Sequence, residues 1–250
     1  MKYLIGIQPT GKLHIGNYLG CIKKGLEYQN SGNDVTFLIA NYHSLTTDSY
    51  TDVTKRDLIR LGCKNIVEQT PEYTELFFKM CCKMNLGSLL KMTQFKDKKE
   101  NVEFDLGILL YPILTAADIV INDPDVVIIG KDQVSHMQLC DDISGRMGGR
   151  KYQYEFGHVV KVMSLVDPAK KMSKSLGEKH VLYLFDEDHE TKIRKAIATP
   201  EGLVNLNNIG LQFGIDIRNY QSNLEYKMVL GDKIKEFFEN IEITAGTEPN

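Results

Sequence analysis

Two lysines held apart by a methionine and a serine, in Lys171-Met172-Ser173-Lys174-Ser175, form the part of this chain best suited to chemistry on a polyanion. Cations alternating with small hydroxyl residues, between Pro168 and Gly177, make a basic loop that can follow the β- and γ-phosphates of a nucleoside triphosphate. Such a loop acts mainly as charge builds on departing pyrophosphate. Far upstream, Gly11-Lys12-Leu13-His14-Ile15-Gly16-Asn17 offers the complementary half. A His-x-Gly-Asn turn opening a helix supplies backbone N–H groups and a neutral or cationic imidazole for the same anion. Pro9 and Gly11 force a tight exit from the preceding strand, and Gly16 lets the helix backbone approach a ligand. His14 and Asn17, three apart, face one side of the first turns, and Thr10 adds a hydroxyl donor. Met172, an apolar residue between two charges, needs a surface to pack on, which separates this loop from a merely solvated basic turn.

Residues of this kind need a sheet to position them. The apolar run Tyr3–Ile7 ends at Gln8-Pro9-Thr10-Gly11, a helical pattern runs from near His14 to about Gln29, and Asp34–Ala40 is a continuous apolar stretch of strand length. A run without polar alternation fits a strand buried on both faces. Strand, helix, strand opens a parallel α/β sheet, and such sheets bind nucleotides at the carboxyl ends of their strands. Val53–Gln69 and Glu75–Met92 then read as helices broken at Thr70-Pro71, so residues 51–110 read as a helical insertion. A further helix is expected to start at Tyr111-Pro112, a buried strand at Asp125–Ile129, and a helix from Gly130 to about Met147. Beyond the lysine loop, helical patterns at 187–199, 202–213 and 224–240 form an appendage. The expected organisation is a catalytic domain 1–185 with the loop at 170–177, an appendage 186–243, and a polar tail 244–250.

Composition narrows the class. With 250 residues, 42% hydrophobic and 25% charged, the chain can bury a sizeable core. A net charge of −3 gives no global positive field, so contact with nucleic acid would need a local basic patch. Five cysteines without a C-x-x-C spacing suggest free thiols in a reducing compartment. Six scattered histidines form no ligand cluster, so no bound structural metal is expected. Met1 leads directly into a strand, and no long apolar run follows, which suggests a cytoplasmic protein without a membrane span.

The two motifs together, in this order, resemble the nucleotide signatures of class I aminoacyl-tRNA synthetases. Further stretches narrow the resemblance to the tryptophanyl family: Gly6-Ile7-Gln8-Pro9-Thr10-Gly11, Met92-Thr93-Gln94-Phe95-Lys96, Tyr111-Pro112 through Asp118-Ile119, Gly130-Lys131-Asp132-Gln133 and Met163 through Pro168 follow in that family's order. The resemblance implies a Rossmann-like parallel sheet, α/β in class, with a helical insertion and a C-terminal helical appendage. It also implies a two-step ligase. ATP, with Mg²⁺ carried on its phosphates, activates L-tryptophan to an adenylate, and the aminoacyl group passes to tRNA(Trp). Thr10, His14, Lys171 and Lys174 are the implied catalytic residues. Gln8, Pro9, Thr10, Gly16, Asn17, Gly130, Lys131, Asp132, Val162, Lys171, Met172, Ser173, Lys174 and Ser175 are the implied ATP contacts. A homodimer is implied too, with the insertion as interface and Leu76, Phe77, Phe78 and Met80 as compatible apolar residues.

The amino acid pocket is implied to comprise Leu4, Tyr111, Thr115, Asp118 and Gln133, with Tyr111 and Gln133 receiving the α-amino group. Asp118 has a physical logic of its own, since a buried carboxylate facing one N–H rejects a ligand that would leave the charge unpaired. Ala116, Ala117, Ile119 and Val120 around it imply a packed setting. Tyrosyl enzymes share the fold and usually carry a tyrosine where this chain has Leu4, and an apolar residue there suits an indole better than a phenol. The tyrosyl activity is the nearest alternative. Two positions depart from the tryptophanyl pattern: Thr115 stands where methionine is usual, and Lys131 where an acid is usual. Lys96, in the most basic stretch, has three readings: a solvated helix end, a phosphate contact or part of a patch for the tRNA acceptor stem. The family normally continues for several helices beyond Asn240. Altered tRNA recognition is therefore expected, and a synthetase-like protein that binds an amino acid or adenylate without charging tRNA is the second alternative.

Overall fold

The computed structural model of the chain describes residues 1–46, 50–90, 106–159 and 161–245. Five strands, β1 (Lys2–Ile7), β2 (Asp34–Ile39), β3 (Asn65–Glu68), β4 (Val126–Ile129) and β5 (Gln153–Phe156), form one sheet in the order β3-β2-β1-β4-β5. β1 runs parallel to both β2 and β4, and β2 runs parallel to β3. Leu4 lies opposite Thr36 on one side and Val127 on the other. The central strands lack polar alternation because both faces are covered: all four residues of β4 and the last five of β2 are buried. This is the parallel α/β architecture expected from the apolar runs.

The chain forms two compact units. The first comprises Met1–Gly11, Glu27–Thr51 and Asn65–Glu155, and the second Lys12–Leu26, Asp52–Lys64 and Phe156–Asn250. In the first, Leu4, Leu38, Val127 and Ile129 of the sheet pack with Ile113, Ala116, Ala117 and Ile119 of the helix Leu106–Asn122, and with Met137, Cys140 and Ile143 of the helix Val134–Arg146. In the second, the helix Asn223–Ala245 brings Phe237 and Phe238 against Tyr18, Phe213 and Phe185, with ring centroids 5.1–6.2 Å apart. Aromatic pairs at such spacing add edge-to-face attraction to the burial of their area. The helices His189–Lys195 and Pro200–Leu211 complete that unit, so the division expected at 185 falls inside it.

Several boundaries differ from the sequence expectation. The span 53–69 is not one helix. A helix Thr51–Arg60 ends where Gly62 takes φ +80°, and Asn65–Glu68 then joins the sheet edge as β3. Glycine reaches that backbone region without the Cβ clash other residues meet, so the helix stops there. Ile66 and Val67, β-branched, suit the strand that follows. Pro112 lies inside the helix Leu106–Asn122 and not at its start. It lacks the N–H that would bond the preceding turn, yet it is buried in the packed face, and tertiary packing carries the helix through. β5 follows the helix Val134–Arg146 as a short edge strand that the apolar pattern does not signal. The helix after His14 is interrupted by a π-helical segment, Tyr18–Ile22, before continuing over Lys23–Asn30.

Candidate active site

In the second unit the two signature segments are built around His14. The turn is pinned by backbone pairing with residues 182–184: Ile15 N–H donates to the Leu182 carbonyl (2.8 Å) and Leu184 N–H to the Leu13 carbonyl (3.0 Å). His14 caps the helix start, its Nδ1 accepting from Gly16 N–H (3.1 Å), while Asn17 Oδ1 accepts from His14 N–H (3.1 Å). This reciprocal cap uses orphan donors at the helix start and fixes the ring. Gly16 is required by it, because a Cβ there would lie 2.9 Å from Cε1 and Nδ1 of His14. Burial, reinforced by Lys174 and Lys171, pulls the imidazole pKa down to about 3. The ring is therefore neutral, and with Nδ1 accepting, its proton sits on Nε2. The sequence allowed a neutral or a cationic ring; the geometry selects the neutral one.

The lysine loop is anchored from beneath. Met172 is 3% exposed, and its N–H donates to the Val162 carbonyl (2.9 Å), while Met163 and Lys171 form an antiparallel bridge. Asn205 clamps Met163 through both backbone groups, at 2.9 Å each. The packing surface that Met172 requires is thus present, and it leaves Lys171 exposed at the loop surface. Lys174 starts a short turn, Lys174–Leu176, and the hydroxyl of Ser173 just before it meets that of Ser175 within it at 2.9 Å. Gly177, with φ +97°, ends it. Burial draws the Lys174 ammonium down to about 8, opposed by the Asp57 carboxylate.

In the first unit a second cluster surrounds Asp118. This carboxylate is buried at 6% exposure and accepts from His43 Nε2 (2.9 Å) and from Gln69 Nε2. Gln69 is itself oriented by the backbone: its Oε1 accepts from Tyr42 N–H (2.7 Å), and its N–H donates to Asn41 Oδ1 (2.9 Å). Burial raises the Asp118 pKa above the usual carboxylate range, against the lowering effect of His43 and Gln69. Tyr111 stands edge-on to His43 with centroids 4.4 Å apart and lies 5.6 Å from the His136 ring. The Gln133 side chain bonds His136 Nδ1 and, at 3.3 Å, Asp132. Thr115 donates to the Tyr111 carbonyl one turn back (3.2 Å), and Gln8 Nε2 donates to the His43 carbonyl (3.2 Å).

Tyr111, Asp118 and Gln133 therefore share one polar and aromatic cluster, whereas Leu4 is 2% exposed within the adjoining apolar core. Gly130 precedes the short turn Lys131–Gln133, and a Cβ on it would meet the Asp132 carboxylate at 2.6 Å. Lys131 is exposed. Thr10 N–H closes the loop onto the Gln8 carbonyl (2.9 Å), and Pro9 accepts from Tyr50 N–H (3.0 Å). Lys96 and its basic stretch lie outside the described residues. Of the apolar residues expected at an interface, Met80 is wholly buried and Leu76 and Phe77 pack against the core, which leaves Phe78 exposed at 69%. The amphipathic helix Pro71–Cys81 turns those three inward.

His43 and Gln69 were not singled out from the sequence. Each is a lone polar residue just beyond the carboxyl end of a strand, β2 and β3 respectively, and that placement is the only signal it gives. Among the described residues, no group of three or more His, Cys, Asp or Glu is arranged to hold a metal ion, and no helix is long and apolar enough to cross a membrane.

Comparison with known proteins places this geometry. The family model for class I tRNA synthetases (W and Y) matches residues 1–62 and 63–245. A tryptophan–tRNA ligase of Malacoplasma penetrans is 37% identical over 78% of this chain and 68% of its own length. One from Mycoplasma genitalium is 30% identical over 90% of this chain and 80% of its own. The crystal structure of tryptophanyl-tRNA synthetase from Mycoplasma pneumoniae superposes with a TM-score of 0.83, 30% identity, and coverage of 99% of this chain and 88% of the other. The chain belongs to the class I aminoacyl-tRNA synthetases of the tryptophanyl and tyrosyl family.

Proposed function

We propose that this chain is a tryptophan–tRNA ligase, which activates L-tryptophan with ATP and transfers it to tRNA(Trp). The likeness to tryptophan–tRNA ligases over most of the chain supports the substrate. The observation that carries the chemistry is a neutral, capped His14 in the same unit as a pinned lysine loop. In the proposed first step, the tryptophan carboxylate attacks the α-phosphorus of ATP in line and the bond to the departing pyrophosphate breaks. His14 donates from Nε2 to a phosphate oxygen, and Lys171, Lys174 and the Thr10 hydroxyl meet the charge that gathers on the leaving group. Mg²⁺ enters on the nucleotide. Gln8, Pro9, Gly16, Asn17, Gly130, Lys131, Asp132, Val162, Met172, Ser173 and Ser175 complete the proposed nucleotide contacts.

The proposed amino acid site uses Asp118 as acceptor for the indole N–H, with Tyr111 and Gln133 on the α-amino group and Leu4 and Thr115 near the ring. Burial supports this role for Asp118. A carboxylate held out of water by His43 and Gln69 gains a donor from indole and gains none from phenylalanine. The homodimer and the cytoplasmic location implied by the resemblance belong to the same proposal.

Amino-acid-dependent exchange of pyrophosphate into ATP tests it, with tryptophan, tyrosine and phenylalanine side by side. Exchange with tryptophan alone is expected. Exchange with tyrosine would overturn the substrate, and none with any of the three would overturn the activation step.

A further inference from the structure

The lysine loop ends at Gly177, and the first side chain beyond it is Glu178. Its Oε1 accepts from the Tyr183 hydroxyl at 3.2 Å, and its Oε2 lies 4.0 Å from Lys192 Nζ. Tyr183 meets the other signature as well. Its backbone forms an antiparallel bridge with His14, and the Lys12 ammonium lies 5.7 Å from its ring centroid. The Lys192 ammonium lies 5.1 Å from the same centroid and is bonded to Asp186, whose Oδ1 lies 3.7 Å from Lys12. Tyr183 is 7% exposed, so its ring is fixed, whereas the Glu178 side chain is 79% exposed.

We infer that Tyr183 is a positioning residue that latches the lysine loop to the His14 turn, through its hydroxyl bond to Glu178 on one side and its backbone bridge to His14 on the other. This inference rests on the proposed function and adds to it a residue that neither signature motif contains. Glu178 follows Lys174 by four residues, with one short turn and Gly177 between them. Farther along, His180 holds the backbone again, its carbonyl accepting from Leu165 N–H at 3.2 Å. The bond from Tyr183 takes hold two residues nearer the lysines. A hydroxyl on a buried ring suits this task. A pair of exposed ions gains little after screening, but a ring already ordered by packing loses little further freedom when its hydroxyl bonds a carboxylate. Lys12 and Lys192, both paired with Asp186, add cation–π contacts that hold the ring in place. Burial, reinforced by Glu178, raises the phenol to about 12, so it remains a donor at working pH. The exposure of Glu178 lets the bond break and re-form as the loop follows a triphosphate.

Two readouts test the latch in the full chain carrying Tyr183→Phe, Glu178→Ala, both together, or Glu178→Gln. The first is tryptophan-dependent pyrophosphate exchange. Tyr183→Phe and Glu178→Ala should each lower kcat about three- to tenfold and leave the KM for tryptophan within about twofold, because the lysine charges are used mainly in the transition state. The double variant should be no slower than the slower single, since both changes remove the same bond. Glu178→Gln keeps an oxygen for the hydroxyl and should retain about half of the wild-type rate or more. The second readout is independent of activity. Trypsin, followed by mass spectrometry, should cut the ligand-free protein after Lys171 and Lys174 about threefold faster in Tyr183→Phe and Glu178→Ala than in the wild type. Additive losses in the double variant, a Glu178→Gln rate as low as that of Glu178→Ala, or unchanged cleavage at the two lysines overturns the inference. Should Tyr183→Phe fail to fold, Glu178→Ala and Glu178→Gln, altered at an exposed side chain, decide it by the same two readouts. If the wild type shows no tryptophan-dependent exchange, the proposed function fails, and the cleavage rates still decide the role of Tyr183.

Discussion

Replacing Asp118 by asparagine should stabilise the free protein and damage its selectivity at the same time. The hydrogen-bond polarity around the residue explains why. Tyr42 N–H fixes Gln69 Oε1 as an acceptor at 2.7 Å, so the Gln69 amide can only donate toward position 118. An asparagine there must turn its oxygen to Gln69 and its NH2 to His43, which leaves no comparable acceptor for an indole N–H. A hydrogen bond to a buried charged group contributes about 1.5–3 kcal/mol, so the preference for tryptophan over phenylalanine in kcat/KM should fall roughly tenfold to 150-fold. Stability moves the other way. The folded-state pKa of Asp118 is raised by burial above its unfolded value, so the native state binds more protons than the unfolded state between the two values. Stability therefore declines as pH rises through that window, and ionisation of Asp118 penalises the native state. Asparagine removes the penalty. Parallel thermal melts of the ligand-free protein at pH 7.5 and exchange assays with the competing amino acids read both effects. A variant with unchanged selectivity, or with the wild-type dependence of melting temperature on pH above the unfolded carboxylate value, would refute the reasoning.

Three further outcomes follow from the second unit. Lys174→Ala should lower adenylate formation by about 100-fold or more, with tryptophan affinity by equilibrium dialysis nearly unchanged, because its charge is used mainly in the transition state. Gly16→Ala should place a methyl 2.9 Å from the His14 ring and break the cap; exchange should drop by about tenfold to 100-fold, while the melting temperature falls by only a few degrees. Met172→Ala should remove the buried anchor of the lysine loop, costing about 2 kcal/mol in denaturant unfolding and raising the KM for ATP.

The sheet centre and the two signature segments were legible because each carries a dense local signal. β1, β2 and β4 are unbroken apolar runs, and the His14 and Lys174 segments place their chemistry within a few consecutive residues. The edge strands were not. β3 and β5 have four residues each and are only half-buried or exposed, so neither carries a run long enough to separate from a helix or loop by period. The partners of Asp118 were hidden for a different reason. His43 is 75 residues and Gln69 49 residues away along the chain, so only the parallel pairing that sets β3 beside β2 aligns their carboxyl ends. Tyr183 was invisible as well, because it reads as an ordinary core aromatic until its bond to Glu178 is seen.

The clamp from Asn205 onto Met163 bears on how far the protein could be trimmed. The helix that carries Asn205 is held by Tyr226, wholly buried, whose hydroxyl donates to the Leu206 carbonyl at 2.8 Å. A fragment cut after the lysine loop would keep every signature residue and still lack the brace beneath them. The shortest working enzyme that could be engineered from this chain must therefore extend through Tyr226, so the functional boundary lies well beyond the lysine loop.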